Sequence, residues 1–503
     1  MMAKPLASVL LAIMAGLAVS LSAPSYAQPH PQAEAAPAAK PAETIKHLPA
    51  DVVTHHSFTL SNRKLEITAT TGAITLSNAD GVAQAQIGFI AYTRSEFVPE
   101  TRPVSFAMNG GPGSGSAWLN LGLLGPWRLK MDTDAARPSA DVTPVANEDT
   151  WLDFTDIVFI DPVGTGFSKL LVNNDENRKK YFSVRGDISS LAEAIRIWLE
   201  QNRRMASPKF IVGESYSGFR GPRLVRALDT EQGVGIRGLT LISPVLDFGA
   251  ISSALQLVDW VQQLPSMVAA QRANRGDVSR DDMADVEAYA VDEYASDLLR
   301  GEDPAALARR KARLGQFTGL DPKLIELRHG FVNDREYLRE AHRDTASLAS
   351  QYDATVTKPD PFPEWAWSEH NDPMTDALSS PFTSAIYDIY ARRLNWLPDG
   401  KYQLSNETVF KSWDFGNQWL KPESVTALRQ ILAEDSHLHV LIAHGLFDLV
   451  TPYFGTKLRL DQIPPSVSQG RIDFEVFPGG HMFYSRDSSR AALRKAALKL
   501  YQP

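Results

Sequence analysis

Three side chains spread along this 503-residue chain have the types and the order needed to attack an acyl group. Ser215 lies in the run Phe210-Ile-Val-Gly-Glu-Ser-Tyr-Ser-Gly218. Phe210, Ile211 and Val212 read as the end of a buried strand, and Gly213 permits a sharp reversal. Tyr216 to Leu228 then has the apolar periodicity of a helix. A serine pinned between a strand end and a helix start has its Oγ held clear of the sheet. The next amide points where an oxyanion would form. The fifth residue of the usual G-x-S-x-G turn is Ser217 here, with Gly218 one step on, so the run is a variant.

An alcohol is a poor nucleophile at its own pKa and needs a base. The base needs a carboxylate to fix its tautomer and stabilise the imidazolium. Asp448 follows a strand that ends at Ala443, in His444-Gly-Leu-Phe-Asp-Leu-Val-Thr-Pro452. His481 follows the next strand, in Phe477-Pro-Gly-Gly-His-Met482. Serine, then aspartate, then histidine, each on a loop after a strand, is the order an elbow serine requires. His437 and His439 lie in or beside a strand, and His444 precedes Asp448, which inverts the order. Asp461 and Asp473 are worse placed than Asp448. Ser215, Asp448 and His481 are therefore the predicted catalytic triad.

The elements that must position them can be read in the same way. Ser57–Leu60, Lys64–Thr68, Ala73–Leu76 and Gln86–Tyr92 read as antiparallel strands joined by tight turns, one of them at Asn78–Gly81. Val104–Met108 is a strand leading into Asn109-Gly-Gly-Pro-Gly-Ser-Gly-Ser116. A phosphate loop would need a following Gly-Lys-Ser/Thr and no Pro112, so this loop is read as a donor of an oxyanion amide. Thr155–Ile160 and Gly238–Ile242 are further buried strands, and Asp187–Asn202 is a helix. This alternation predicts an α/β-hydrolase: a mostly parallel central sheet covered by helices. From 250 to 398 the chain is helix-rich with interleaved charges and no clear core strands, which reads as a helical cap insertion. It divides the core into 51–249 and 399–503. Strands return at His437–Ala443 and Arg471–Phe477, and Ser488–Tyr501 is a closing helix.

Hydrophobic residues at 44%, charged residues at 22% and a net charge of −8 suit a soluble globular chain and argue against a nucleic-acid partner. The absence of cysteine excludes disulfides, thiolate metal sites, a cysteine nucleophile and cysteine lipidation. No cofactor and no metal are expected. Lys4, the apolar run Leu6–Leu21 and Ser25-Tyr26-Ala27 read as a signal peptide over 1–27, too short in its apolar part to span a membrane. An Ala/Pro-rich spacer over 28–50 is expected to be disordered. An exported chain without cysteine suggests a periplasmic or secreted bacterial enzyme, with no stable membrane insertion once the signal is cleaved.

Asn-Gly-Gly-Pro-Gly at 109–113, Gly-Glu-Ser-Tyr at 213–216, Asp161-Pro-Val-Gly-Thr-Gly-Phe-Ser168 and Gly-Gly-His-Met at 479–482 together resemble the serine carboxypeptidase family. The glutamate just before the serine is the specific part. The resemblance implies that the amides of Gly111 and Tyr216 form the oxyanion hole. It also implies that Asn109, Gly110 and Glu214 hold the free carboxylate of a peptide substrate. A protonated Glu214 could donate to that carboxylate where an ionised one would repel it, which favours acidic pH. The chain departs from the family at Ala107 (usually Trp), at Ser114 (usually a half-cystine) and at Leu123, near the usual acidic partner of the glutamate. The first and third predict a weakened carboxylate site. The expected activity is release of C-terminal residues through an acyl-enzyme. An esterase or acyltransferase using the same triad is the alternative, and a non-catalytic binding protein on this scaffold is a third reading.

Overall fold

In the computed structural model, residues 46–131, 139, 142–248, 257–365, 372–416 and 422–502 are described. The expected signal peptide and most of the expected spacer lie outside them. At the spacer's end Leu48 is buried, and its amide donates to Gln86 Oε1 at 2.6 Å.

Alternating side chains start the sheet and continuous apolar runs finish it. β1 (Val52–Thr59) shelters every second residue, partly at Val52, Thr54 and His56 and fully at Phe58, as a strand with one wet face does. β2 (Lys64–Ser77) and β3 (Ala83–Thr93) extend this antiparallel ribbon. The runs 64–68 and 73–76, expected as separate strands, are one strand. Thr71 pairs with both Val52 and Ile90, and Gly72 pairs with Phe89, so neighbours on both sides keep the join extended.

β4 (Val104–Met108), β5 (Asp156–Ile160), β6 (Lys209–Glu214), β7 (Gly238–Ile242), β8 (His439–Gly445) and β9 (Ile472–Phe477) complete the sheet. The order is β1-β2-β3-β5-β4-β6-β7-β8-β9, with the short strand Lys169–Leu170 added against β3. All pairs from β5 onward are parallel. β4, β5 and β7 are buried at every position, as strands covered on both faces must be. This is the α/β-hydrolase arrangement.

Two helices frame the centre. α1 (Val184–Gln201) starts where Ser183 Oγ accepts the Gly186 amide, and it turns Ile188, Leu191, Ile195 and Trp198 inward. Trp198 meets Phe106 of β4 edge-on at 5.5 Å. α2 (Ser217–Gln232) ends at Gly233, whose φ of +64° turns the chain out of the helix.

The insertion divides its packing. α3 (Leu257–Ala273) and the helices to Glu340 build a hydrophobic cluster with Leu446, Phe447, Leu449 and Tyr453, the residues around Asp448. α4 (Pro373–Asp388) instead buries Met374, Leu378 and Phe382 in the core cluster on one face of the sheet, with Phe382 4.4 Å from Trp118. α5 (Asp487–Tyr501) brings Tyr501 onto Phe210 at the start of β6, ring on ring at 4.0 Å. The Tyr501 hydroxyl lies 2.7 Å from Ser105 Oγ on β4. Among the described residues, no helix is long and apolar enough to cross a membrane.

Candidate active site

β6 ends at Glu214, and the reversal falls on the next residue. Ser215 has φ +60°, a left-handed backbone that costs a residue with a side chain on the order of 1 kcal/mol. Its amide donates to Ile242 O on β7 at 2.9 Å. Its carbonyl accepts from Gly218 at 2.8 Å and Val245 at 3.0 Å. The sequence reading put the reversal at Gly213, but that glycine serves a different need. A Cβ on Gly213 would lie 2.4 Å from the Ser217 Cβ, so the strand and helix can approach only without one. The variant residue Ser217 is itself used: its Oγ reaches the Met108 and Asn109 carbonyls at 3.2 and 3.3 Å and accepts from Arg220 at 2.8 Å. Ser215 alone of these elbow residues is partly exposed.

The structure brings Asp448 and His481 together. His481 Nδ1 lies 2.8 Å from Asp448 Oδ2, and both side chains are buried. Asp448 Oδ1 accepts the amides of Val450 (2.8 Å) and Thr451 (3.0 Å), which fix its plane. With the carboxylate on Nδ1, the proton belongs there and Nε2 is left as an acceptor. The Ser215 hydroxyl is not hydrogen-bonded to this ring. Such bonds tighten when a substrate is seated.

Four residues that the sequence reading missed hold this pair. Thr451 Oγ1 is 2.6 Å from Asp448 Oδ2 and 3.1 Å from His481 Nδ1. Ser243 Oγ donates to the His481 carbonyl at 2.7 Å. From the insertion, the Tyr352 carbonyl accepts the His481 amide at 2.5 Å, and the two rings meet edge-on at 5.3 Å. Arg486 then reaches Thr355 Oγ1 at 2.8 Å and Asp353 Oδ2 at 3.2 Å, tying the same loop to the segment after His481. His444, the nearest rival base, is fully buried, and neither ring nitrogen has a hydrogen-bond partner of normal geometry.

On the other side of Ser215 the glycine-rich loop closes against the elbow. A Cβ on Gly110 would fall 2.4 Å from Tyr216 N, so only glycine lets the two backbones come together. Gly111 follows at φ +103°. Neither the Gly111 nor the Tyr216 amide is spent on another protein group. A buried pair holds the loop from behind: Arg220 donates to Asn109 O at 2.7 Å and to Asp187 Oδ2 at 2.7 Å. Asn109 Nδ2 donates to Glu214 Oε2, while its own Oδ1 accepts the Leu119 amide at 3.0 Å. Tyr484 donates to Glu214 Oε1 at 2.8 Å. Leu123 is buried and apolar.

The electrostatics follow from burial and neighbours. Burial pushes the Glu214 carboxyl up to about 7, against the pull of His481, Tyr484 and Asn109. Burial works against a charged His481, yet the Asp448 carboxylate, its hydrogen bond and Glu214 together raise its pKa. Asp448 is held below the usual carboxylate range, since His481 and Thr451 outweigh its burial. Burial drives His444 down to about 4, so it is neutral at ordinary pH. A cavity of about 530 Å³ opens beside the Asp448 loop, between Val245, Thr451 and Pro452 of the core and Asp259, Gln262 and Asp334 of the insertion. Among the described residues, no group of three or more His, Asp or Glu side chains could hold a metal ion.

The family model for serine carboxypeptidases matches residues 78–476. Serine carboxypeptidase-like 13 of Arabidopsis thaliana is 29% identical over 163 residues, 32% of this chain and 36% of that protein. Pheromone-processing carboxypeptidase kex1 of Aspergillus niger is 35% identical over 138 residues, 27% of this chain and 20% of that protein. The matched stretch thus spans about a third or less of the length of these relatives. The crystal structure of Kex1, a prohormone-processing carboxypeptidase from Saccharomyces cerevisiae, superposes with a TM-score of 0.52. That superposition covers 86% of this chain and 90% of the other at 17% identity, which speaks to the fold.

Proposed function

The chain belongs to the serine carboxypeptidase family, and from that premise we propose that it releases C-terminal residues from peptides through an acyl-enzyme on Ser215. The observation that carries this reading is the pairing of two arrangements around one partly exposed serine. The buried Asp448–His481 pair supplies a base, and a buried, readily protonated Glu214 lies immediately before the nucleophile. His481 Nε2 takes the Ser215 proton as Oγ attacks the last peptide carbonyl. The Gly111 and Tyr216 amides meet the oxyanion. The imidazolium returns its proton to the leaving amine, and water repeats the sequence on the ester. Protonated Glu214, with Asn109 and Gly110, receives the free carboxylate of the departing residue. The cavity on the Asp448 side is open to the acyl residue. Residues 250–398 serve as the lid, and export by the N-terminal signal places the enzyme outside the cytoplasm.

Two measurements test this. A fluorophosphonate should label Ser215, and Ser215→Ala should lose both label and turnover. Mass spectrometry of a digested peptide mixture should show single residues lost from C-termini. Internal cuts, or turnover of esters alone, would overturn the carboxypeptidase reading in favour of an esterase or acyltransferase. Labelling elsewhere with activity intact would overturn the triad.

A further inference from the structure

Glu214 is gripped at both oxygens, and the two donors are unequal in what they can do. Asn109 is locked: its Oδ1 is taken by the Leu119 amide, so Nδ2 must face Glu214 Oε2. Tyr484 holds Oε1 through a hydroxyl that can donate or accept. Its ring is wholly buried in the space left by Gly122, where a Cβ would lie 2.7 Å from Tyr484 Cε2. It sits in the turn Phe483–Ser485, directly after His481 and Met482, so one short segment carries both the base and the partner of Glu214.

We infer that Tyr484 is a positioning residue for Glu214: its neutral hydroxyl, rather than a second acid, fixes and tunes the carboxyl that meets an anionic chain end. The inference rests on the carboxypeptidase reading above. An incoming carboxylate is repelled unless Glu214 holds a proton. A second acid in contact with Glu214 would share that proton and make the two titrate as a pair. The hydroxyl adds no charge, because burial and the adjacent Glu214 push its own ionisation well above the ordinary range. A donor to the ionised carboxylate favours that form, so Tyr484 limits how far burial raises Glu214. The other groups acting on this carboxyl are His481 and Asp448 on their loops, and Tyr352 of the insertion responds to its charge.

The test is kcat/KM against pH for one blocked dipeptide, as free acid and as amide, in the native enzyme and in Tyr484→Phe. The native free-acid profile should fall on its alkaline side through a single ionisation, and the amide profile should lack that limb. Tyr484→Phe should move the free-acid limb up by about one pH unit, the worth of one hydrogen bond to a charged group, and leave the amide profile in place. A limb that stays put, or equal losses on both substrates, overturns the inference and leaves Tyr484 as packing. If fluorophosphonate labelling shows that Tyr484→Phe has not folded, Gly122→Ala carries the same test, since its methyl would lie 2.7 Å from Tyr484 Cε2 and the ring must shift to admit it. A native enzyme that never prefers the acid removes the carboxypeptidase reading, and this inference with it. A preference that survives with an unmoved limb removes the inference alone.

Discussion

Thr451 Oγ1 touches both members of the Asp448–His481 pair, and its loss would leave the carboxylate its two backbone donors but free the ring to rock. Thr451→Val keeps the shape and removes the hydroxyl. On the proposed mechanism it should lower kcat about five- to tenfold, the worth of one buried hydrogen bond, with KM little changed. Steady-state kinetics on a peptide and the rate of fluorophosphonate labelling should fall together. A drop in KM-controlled binding alone would show that the hydroxyl serves substrate rather than base. Ser215, Asp448 and His481 stand out in the sequence because each follows an apolar run and stands among glycines or turn residues. Thr451 and Tyr484 each stand three places after one of them, which is the one trace they leave in the sequence. Tyr352 leaves none, because the contact it makes joins residues 129 positions apart.

α1 and α2 are joined by the buried Asp187–Arg220 pair, and Arg220 passes that support to the Asn109 carbonyl beneath the glycine-rich loop. Burial raises the Asp187 carboxyl, and Arg220 offsets part of that rise. Removing the cation alone strands the carboxylate, so Arg220→Met should cost about 3–5 kcal/mol. Asp187→Asn with Arg220→Met should recover much of that loss in thermal unfolding. Turnover should stay low in the double variant, because nothing then holds the Asn109 carbonyl. If kcat returns with stability, the loop does not depend on Arg220. α1, α2 and α5 were legible in the sequence. What a helix packs against was not: nothing in the pattern of α4 says that Phe382 meets Trp118 in the core rather than the helices of the insertion. Nor does Thr70-Thr71-Gly72 announce that β2 runs straight through, since the reason lies in β1 and β3.

Two buried groups give the folded protein opposing pH dependences. His444 titrates near 4 when folded and near 6.5 when unfolded, so the unfolded chain takes up the extra proton between those values. Its contribution is intact above 6.5 and falls as pH drops, by about 3 kcal/mol at pH 4. Glu214 titrates near 7 folded against 4.5 unfolded, so its contribution is intact below 4.5 and falls by about 3 kcal/mol as pH rises through 7. The two slopes run in opposite directions over the same pH range and nearly cancel, so their sum should leave the melting temperature almost unchanged between about pH 4 and 7. Glu214→Gln should unmask a melting temperature that rises from pH 4 to 6.5, and His444→Leu one that falls from pH 4.5 to 7; calorimetry in which neither slope appears would assign these dependences to other groups. Composition foretold none of this, because it reports how many histidines exist and not which one is sealed. The tether between Tyr352 and His481 bears on how such a chain can be re-engineered. Exchanging insertions between relatives is an obvious route to new preferences, and here the exchange has a seam it must respect. A graft joined outside Ser350–Thr355 inherits the carbonyl that holds the His481 amide. A graft that replaces that turn imports a new pocket and unmoors the histidine in the same step.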